Sequence, residues 1–490
     1  KIFIGYPPLD TSKGVALLSQ NRQFQYFKKP TYIYPVVPAQ AATLLKKAGF
    51  EVIWKDCIAE GWTKEQFYQF IAKEKPDLVA FETKTPVVQE HWEIINELKR
   101  RMKDEGGGTT VLFGDHVTAL PEESFENSQV DYVLTGGDYD FLLLNLCNAL
   151  SSARITNHEP RTTNLEPGIF YRDNGQIKNT GKFQLNHDLD SAPFIDRELT
   201  QWKNYAYENG NYRRVPGTYI MSGRDCWWGK CTFCSWPTLY NKFRSRSVHN
   251  VLDEIGELIG KYGVKEIMDD SGSFPAGAWL KDFCEGMIER GYNRKLNLDC
   301  NMRFGALSAA EYKLMKKAGF RLMLFGIESA NQFTLDRINK NVKVEEIISS
   351  CKSARKCGLY PHITIMFGYP WETYEEALKT LKLGQWLLRK GYAYTMQATV
   401  VIPYPGSPLF EECKANNWLK TTDWQSYDMK EPVMTSPLGE EKTMRLVQSL
   451  YGVALNPEFI WNRIISISGF EDISFFLRAF PRVFGHIFDF

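Results

Sequence analysis

Three cysteines, Cys226, Cys231 and Cys234, fall within nine residues of the stretch MSGRDCWWGKCTFCSWP at positions 221–237. Three thiolates from one loop can hold three corners of a four-iron cluster and leave one iron open to a substrate or cosubstrate. A structural zinc site needs a fourth protein ligand, and the nearest candidate, His249, stands fifteen residues further on. Three unrelated core thiols are the remaining reading, because free cysteine often packs as a small apolar residue. Trp227, Trp228, Phe233 and Trp236 crowd the same loop, so a dry site shielded on one side is expected.

The loop follows a short apolar strand, Thr218 to Met221, and from there strand and helix patterns alternate. Strand patterns fall near 218–222, 264–268, 296–300, 321–326, 361–367 and 394–401, with helical patterns such as Val251–Tyr262, Ala309–Ala318 and Tyr374–Leu388 between them. Six such units over 218–414 suit an open partial barrel, whose chemistry belongs at the carboxyl ends of the strands. Those ends read Asp269-Asp270-Ser271-Gly272, Cys300-Asn301-Met302-Arg303, Phe325 to Ser329, Phe367 to Thr373 and Ile402 to Pro408. Asp270 and Ser271 have an alternative as helix caps, and Glu372 reads as a helix-start acid. Cys284, Cys351, Cys357 and Cys413 sit in helical patterns. Cys300 ends a strand, which leaves a hydrogen-donor role open to it.

Residues 1–150 also alternate, with apolar runs at Ile2–Tyr6, Val52–Trp54, Leu78–Phe81, Thr110–Phe113 and Tyr132–Leu134. Five strands with intervening helices read as an α/β doubly wound parallel sheet, with ligands expected beyond the carboxyl ends of the strands. Gly136 and Gly137 open a helix there, and their N–H groups could approach a phosphate or amide. No GxGxxG is present, so a dinucleotide is not favoured. Residues 151–217 read as a polar connector holding a hairpin turned at Asn174-Gly175.

Residues 415–490 read as a helical region. Phe476, Phe480, Phe484 and Phe488 recur every fourth residue, with Pro481 expected to kink any helix there. Two readings are open: an apolar stripe lying on the barrel as a lid, or an interfacial segment on a membrane.

The chain as a whole sets outer bounds. Its 490 residues suggest two or three domains. Charged residues make up 24% and the net charge is +1, so nothing argues for DNA or RNA as a partner. Ten cysteines without regular spacing fit a reducing, cytoplasmic compartment. No run of eighteen apolar residues occurs, so a spanning helix is not expected.

The cysteine loop and the strand-end motifs together resemble the radical S-adenosylmethionine (SAM) enzymes. The family's signature has three and then two residues between its cysteines, with an aromatic before the last. Phe233 matches that aromatic, while four residues separate Cys226 from Cys231, a difference that Gly229 could absorb in a wider turn. The preceding α/β domain makes the chain similar to the cobalamin-binding subfamily, whose members methylate carbon or phosphorus or build tetrapyrroles and hopanoids. Gly114, Asp115 and His116 match the subfamily's Gly-rich loop, and the cobalt-ligating Asp-x-His-x-x-Gly motif is absent.

The resemblance implies a Rossmann-like cobalamin-type domain, a partial (β/α)6 radical SAM barrel and a helical tail. It implies a 4Fe-4S cluster on Cys226, Cys231 and Cys234. For SAM it points to Asp269 and Asp270 at the ammonium, Arg303 at the carboxylate, Glu328 and Ser329 at the ribose or amino group, and Phe233, Ile402 and Tyr404 around the adenine. For cobalamin it points to Tyr6, Gly114, His116, Gly136 and Gly137, with His116 ordering its loop rather than ligating cobalt.

The function so implied is a cobalamin-dependent methyltransferase acting on an unactivated carbon of an apolar or lipid-like small molecule. The alternative is a radical rearrangement, cyclisation or C–C coupling in which cobalamin is absent or carries no methyl group. A third reading, a non-catalytic electron carrier or metal-binding module, leaves the strand-end motifs without a use. A flavodoxin or ferredoxin would supply electrons, and a cytoplasmic enzyme peripheral to the membrane's inner face would fit the tail.

Overall fold

Two parallel sheets follow one another along the chain. The computed structural model describes residues 1–18, 26–102, 108–156, 165–210, 212–467 and 469–487. In the first sheet, β1 (Ile2–Tyr6), β2 (Val52–Asp56), β3 (Leu78–Glu82), β4 (Thr109–Phe113) and β5 (Tyr132–Leu134) run in the order β2-β1-β3-β4-β5. All pair in parallel, the doubly wound order whose ligand crevice lies at the switch between β1 and β3. Strands β1 and β3 are buried at every residue, as a sheet covered on both faces requires. The cover comes from α1 (Val36–Lys47), α2 (Lys64–Glu74), α3 (Val88–Arg101) and α4 (Tyr139–Thr156).

The hairpin in the expected connector does more than link. Its strands β6 (Ile169–Asp173) and β7 (Gln176–Asn179) extend the first sheet, β6 lying antiparallel to β5. Asn174 and Gly175 both take positive φ, 49° and 80°, the tight turn that matches strand twist.

In the second sheet, β8 (Gly217–Ile220), β9 (Glu266–Asp269), β10 (Asn297–Met302), β11 (Phe320–Glu328), β12 (Tyr360–Phe367) and β13 (Thr395–Val400) stand in sequence order and all pair in parallel. No pairing joins β13 back to β8 among the described residues, so the barrel is open. Helices α5 (Val248–Tyr262), α6 (Ala278–Glu289), α7 (Ala309–Lys317), α8 (Val344–Lys356) and α9 (Tyr374–Arg389) form its outer layer. Ser247, Ser308 and Thr373 each accept a backbone N–H at a helix start, which fixes where the strand-end loops stop. Asp270 and Ser271 cap nothing; α6 starts after Gly277.

Three further helices, α10 (Glu440–Tyr451), α11 (Pro457–Ile464) and α12 (Phe470–Ile487), finish the chain. α12 lies across the amino-terminal end of the barrel, held by Arg213–Asp472 at 2.5 Å and Arg214–Glu471 at 3.0 Å. Phe475 packs there against Leu322 and Tyr394, with Phe476 partly buried beside them. The lid is therefore a floor, on the side away from the strand-end motifs. One helix spans Pro481; the side chains of Phe480 and Phe484, and Phe488 entirely, lie outside the described residues.

Candidate active site

The cysteine loop is pinned on every side except one. After β8, residues Gly223–Arg224 pair with Arg244–Ser245 and close the loop's neck. The Thr232 N–H donates to Ile338 at 3.0 Å, and the Thr232 carbonyl accepts from Leu409 at 2.9 Å. The indole N–H of Trp227 reaches the Phe274 carbonyl at 3.2 Å and that of Trp228 the Asn339 carbonyl at 2.8 Å. The tryptophans are thus struts, one to the strand-end loop after β9 and one to the connection after the short helix Gln332–Arg337. Gly229, at φ 58°, takes the left-handed turn that accommodates the extra residue. Gly272 comes so close beneath that a Cβ there would lie 2.7 Å from the Cys226 nitrogen.

On its open side the loop faces a cavity of about 370 Å³ running down the barrel, and Cys226, Cys231 and Cys234 all line it. None is in a disulfide. Burial pushes the Cys231 thiol up, opposed by the Lys340 and Arg303 charges. Among the described residues, no three His, Cys, Asp or Glu side chains converge to hold a single metal ion. A four-iron cube takes one thiolate per iron, so its ligands stand farther apart than those of one ion. His249 is turned to solvent, its side chain 78% exposed and paired with Asp253, so no fourth zinc ligand comes from there. The donor set therefore suits a cluster with one open corner.

Phe233, Asp270, Arg303, Glu328, Ile402 and Tyr404 line the same cavity. Two of these form an ion cage with a residue that sequence reasoning did not single out. Lys340 donates to Glu328 at 2.6 Å, and its carbonyl accepts from Arg303 at 2.5 Å. The Arg303 guanidinium lies 4.7 Å from the Trp228 ring and Lys340 5.8 Å from Phe233. Glu328 adopts φ 63° at a bulge ending β11. Gly326 makes that possible, since a Cβ on it would meet the Glu328 carboxylate at 1.9 Å. Lys340 had no readable signal because it comes from a connection after a short helix, not from a strand end.

Other expected contacts have different employment. The Asp269 carboxylate is buried and accepts the Ser222 N–H and hydroxyl and the Ser271 N–H; it props the cysteine loop instead of reaching the cavity. The Ser329 hydroxyl donates to Glu372 at 2.5 Å, and both are fully buried, so Glu372 is an interior acid rather than a solvated helix start. Cys300 is wholly buried with its thiol pushed well up by burial, away from the cavity lining.

At the first sheet, Tyr6 donates to Glu82 at 2.6 Å, and Gly114 is where a Cβ would strike the Thr83 carbonyl. His116 is buried between Thr85 and Glu123, the latter at 2.9 Å, with Trp424 against its ring. Gly136 lies under the Phe183 ring and Gly137 under Tyr240, so these glycines admit protein side chains where a ligand was expected. What the first sheet does offer the cavity is the segment between β1 and α1, through Leu17, Phe27, Thr31 and Ile33.

The loop after Gly137 locks the two sheets together. Asp138 takes Arg224 at 2.8 Å, Arg244 at 2.6 Å and His187 at 2.9 Å, and His187 also meets Glu166 at 2.9 Å. Burial opposes charge on His187, but the Asp138 and Glu166 hydrogen bonds outweigh it and raise its pKa to about 9. A raised pKa gives stability that is full below the ordinary value near 6.5 and is lost as pH rises through about 9. His187→Gln is therefore expected to lower unfolding free energy by about 2 kcal/mol near neutral pH and by little above about pH 10, read from urea titrations across pH.

Residues 220–384 match the family model of the Radical SAM superfamily. Over 434 residues the chain is 28% identical to an uncharacterized methyltransferase, PH0819, of Pyrococcus horikoshii, covering 88% of this chain and 89% of that one. It is 25% identical to the anaerobic magnesium-protoporphyrin IX monomethyl ester cyclase of Rubrivivax gelatinosus, over 82% of this chain and 69% of the other. Among solved structures, the radical SAM methyltransferase TsrM of Kitasatospora setae superposes with a TM-score of 0.69 at 15% identity, over 100% of this chain and 99% of that one. With three free cysteines opening on a barrel lumen at the strand ends, the chain carries a radical SAM domain over residues 220–384 and is an enzyme.

Proposed function

We propose that this protein is a cobalamin-dependent radical SAM methyltransferase that alkylates an unactivated carbon of an apolar small molecule. The observation that carries it is the shared cavity: three free thiols and the Phe233, Asp270, Arg303, Glu328, Ile402 and Tyr404 side chains meet in one lumen. When bound, a 4Fe-4S cluster would supply the electron that splits the SAM sulfonium into methionine and a 5′-deoxyadenosyl radical, and cobalamin would supply a methyl group.

The chain's own groups place and shield these reactants. Cys226, Cys231 and Cys234 hold the cluster. Asp270 accepts from the SAM ammonium and Arg303 donates to its carboxylate. Glu328, fixed by Lys340, accepts from the ribose, while Phe233, Ile402 and Tyr404 flank the adenine. Cobalamin would lie against the wall of Leu17, Phe27 and Ile33, with no imidazole from His116, whose two ring nitrogens face Thr85 and Glu123. Trp227 and Trp228 exclude water, and a flavodoxin- or ferredoxin-like donor supplies electrons.

An apolar substrate is supported by the lumen below, walled by Met268, Met302, Leu324, Met366 and Met396. Thr364 and Gln397, opposite each other in register, stand with Asp299, Asn301, Arg321, His362 and Thr395 as its polar groups. The likeness to a cyclase supports a second reading, radical ring closure in the same lumen.

Anaerobic reconstitution with dithionite, SAM and cobalamin tests both. 5′-Deoxyadenosine with S-adenosylhomocysteine supports methylation, deoxyadenosine alone supports cyclisation, and neither product sinks the proposal. Gly326→Ala should push Glu328 off Lys340 and weaken SAM binding roughly tenfold, by equilibrium dialysis, with iron content unchanged.

A further inference from the structure

Large apolar side chains left in solvent are concentrated in one short run. Among the described residues, seven are more than half exposed, and six of them are Leu455, Trp461, Ile464, Ile465, Phe470 and Leu477. All six belong to α11, α12 or the turns beside them. A surface helix normally turns its charges outward and its apolar face inward. Here the arrangement is reversed. Glu458 pairs with Lys390, Glu471 with Arg214 and Asp472 with Arg213. Arg463 donates to the Ala393 carbonyl, and Arg478 to those of Tyr212 and Arg213. Every described charged side chain of the two helices thus has a partner on the barrel, with Glu458 and Glu471 about half exposed beside the apolar run.

The rim around this face is basic. An exposed lysine precedes each of β9 to β12, Lys265, Lys295, Lys317 and Lys356, while Lys390 before β13 is paired with Glu458. Helix dipoles account for basic residues in the last turns of α7 to α9, which end at this rim. They do not account for an apolar belt between them.

We propose that the amino-terminal end of the barrel docks on the surface of an anionic lipid bilayer, with the outer face of α11 and α12 at the acyl boundary and the rim lysines on headgroup phosphates. An apolar strip flanked by Lys is the pattern of a segment lying in the interface plane, and each basic residue near such a surface adds attraction. No helix among the described residues is long and apolar enough to cross a membrane, so the contact is peripheral. A second copy of this chain is disfavoured as occupant, because a face-to-face pair would set one lysine rim against another. α12 then separates bilayer from lumen: Phe475 and Ala479 line the cavity from within, while Phe470 and Leu477 face outward.

The inference needs neither cluster nor cofactor, so its failure is separable from failure of the catalytic proposal. The full-length protein is floated with phosphatidylcholine vesicles and with mixed phosphatidylcholine–phosphatidylglycerol vesicles. Binding to the anionic vesicles, weakened by salt, is expected. The triple variant Trp461→Ser, Ile465→Ser, Leu477→Ser, checked for an unchanged circular dichroism spectrum, should bind at least about tenfold more weakly, and Lys317→Glu with Lys356→Glu should do likewise. Absence of flotation, equal flotation of the variants, or a dimer that the triple variant converts to monomer without altering flotation would each overturn it.

Discussion

Replacing Cys226, Cys231 or Cys234 by alanine should leave a folded protein that holds no intact 4Fe-4S cluster and cleaves SAM at least about a thousandfold more slowly, a barrier change of about 4 kcal/mol. The fold should survive because the loop does not depend on the thiols. Its anchors are the Thr232 backbone bonds to Ile338 and Leu409 and the two tryptophan struts. A cluster held at three corners has no spare protein ligand, so one lost thiolate is decisive. Cys284→Ala and Cys300→Ala provide the contrast. Both thiols are buried, that of Cys284 pushed up to about 12 by burial, and behave as small apolar residues. Those variants should keep their iron and lose only about 1–2 kcal/mol of stability. Iron content by colorimetric assay, electron paramagnetic resonance of the reduced protein and 5′-deoxyadenosine by chromatography check the contrast. Full iron in the Cys231→Ala protein would defeat the cluster assignment.

The parts of this protein legible from its sequence are those where side-chain period or spacing is a direct consequence of local geometry. The parallel strands of the first sheet fell on apolar runs, because a parallel sheet covered on both faces leaves no polar alternation to blur the pattern, while those of the barrel were legible despite polar lumen positions such as Asp299 and Gln397. The cysteine loop was legible because its ligands come from nine consecutive residues. The cavity-facing strand ends, Asp270, Arg303 and Glu328, were legible because barrel topology sends such positions to one mouth.

Adjacency in sequence did not reveal which neighbour faces inward. Asp269 and Asp270 are consecutive, yet the strand pleat sends the first into Ser222 and the second to the lumen. Ser329 follows Glu328, and the positive φ of Glu328 turns the serine away to Glu372. Gly136 and Gly137 carried a ligand-like signal for a sound reason, close approach, but the approaching groups are Phe183 and Tyr240 of this chain. Long-range partners such as Lys340 for Glu328 have no local signature at all.

The other large effect should come from Arg224, which no motif marks. Its guanidinium is buried and bridges Asp138 at 2.8 Å and Asp140 at 2.5 Å, both carboxylates buried on the first sheet's side. Burial opposes its charge, but Asp140 and then Asp138 hold its pKa well above the ordinary value. Arg224→Leu would leave two carboxylates in the interior with only Arg244 and His187 still bound, and those to Asp138 alone. Breaking a buried pair on one side costs about 3–5 kcal/mol, so the variant should unfold at markedly lower urea concentration. Arg224→Lys should recover only part, because one ammonium cannot span two carboxylates as the planar fork does. The double variant Arg224→Leu, Asp140→Leu should be more stable than Arg224→Leu alone, since it removes the stranded charge. Arg224 also stands two residues before Cys226, so loosening it should cost iron as well as stability. A stable Arg224→Leu protein with full iron would mean that the sheets hold together by apolar packing alone, and that the cysteine loop is set by its own anchors.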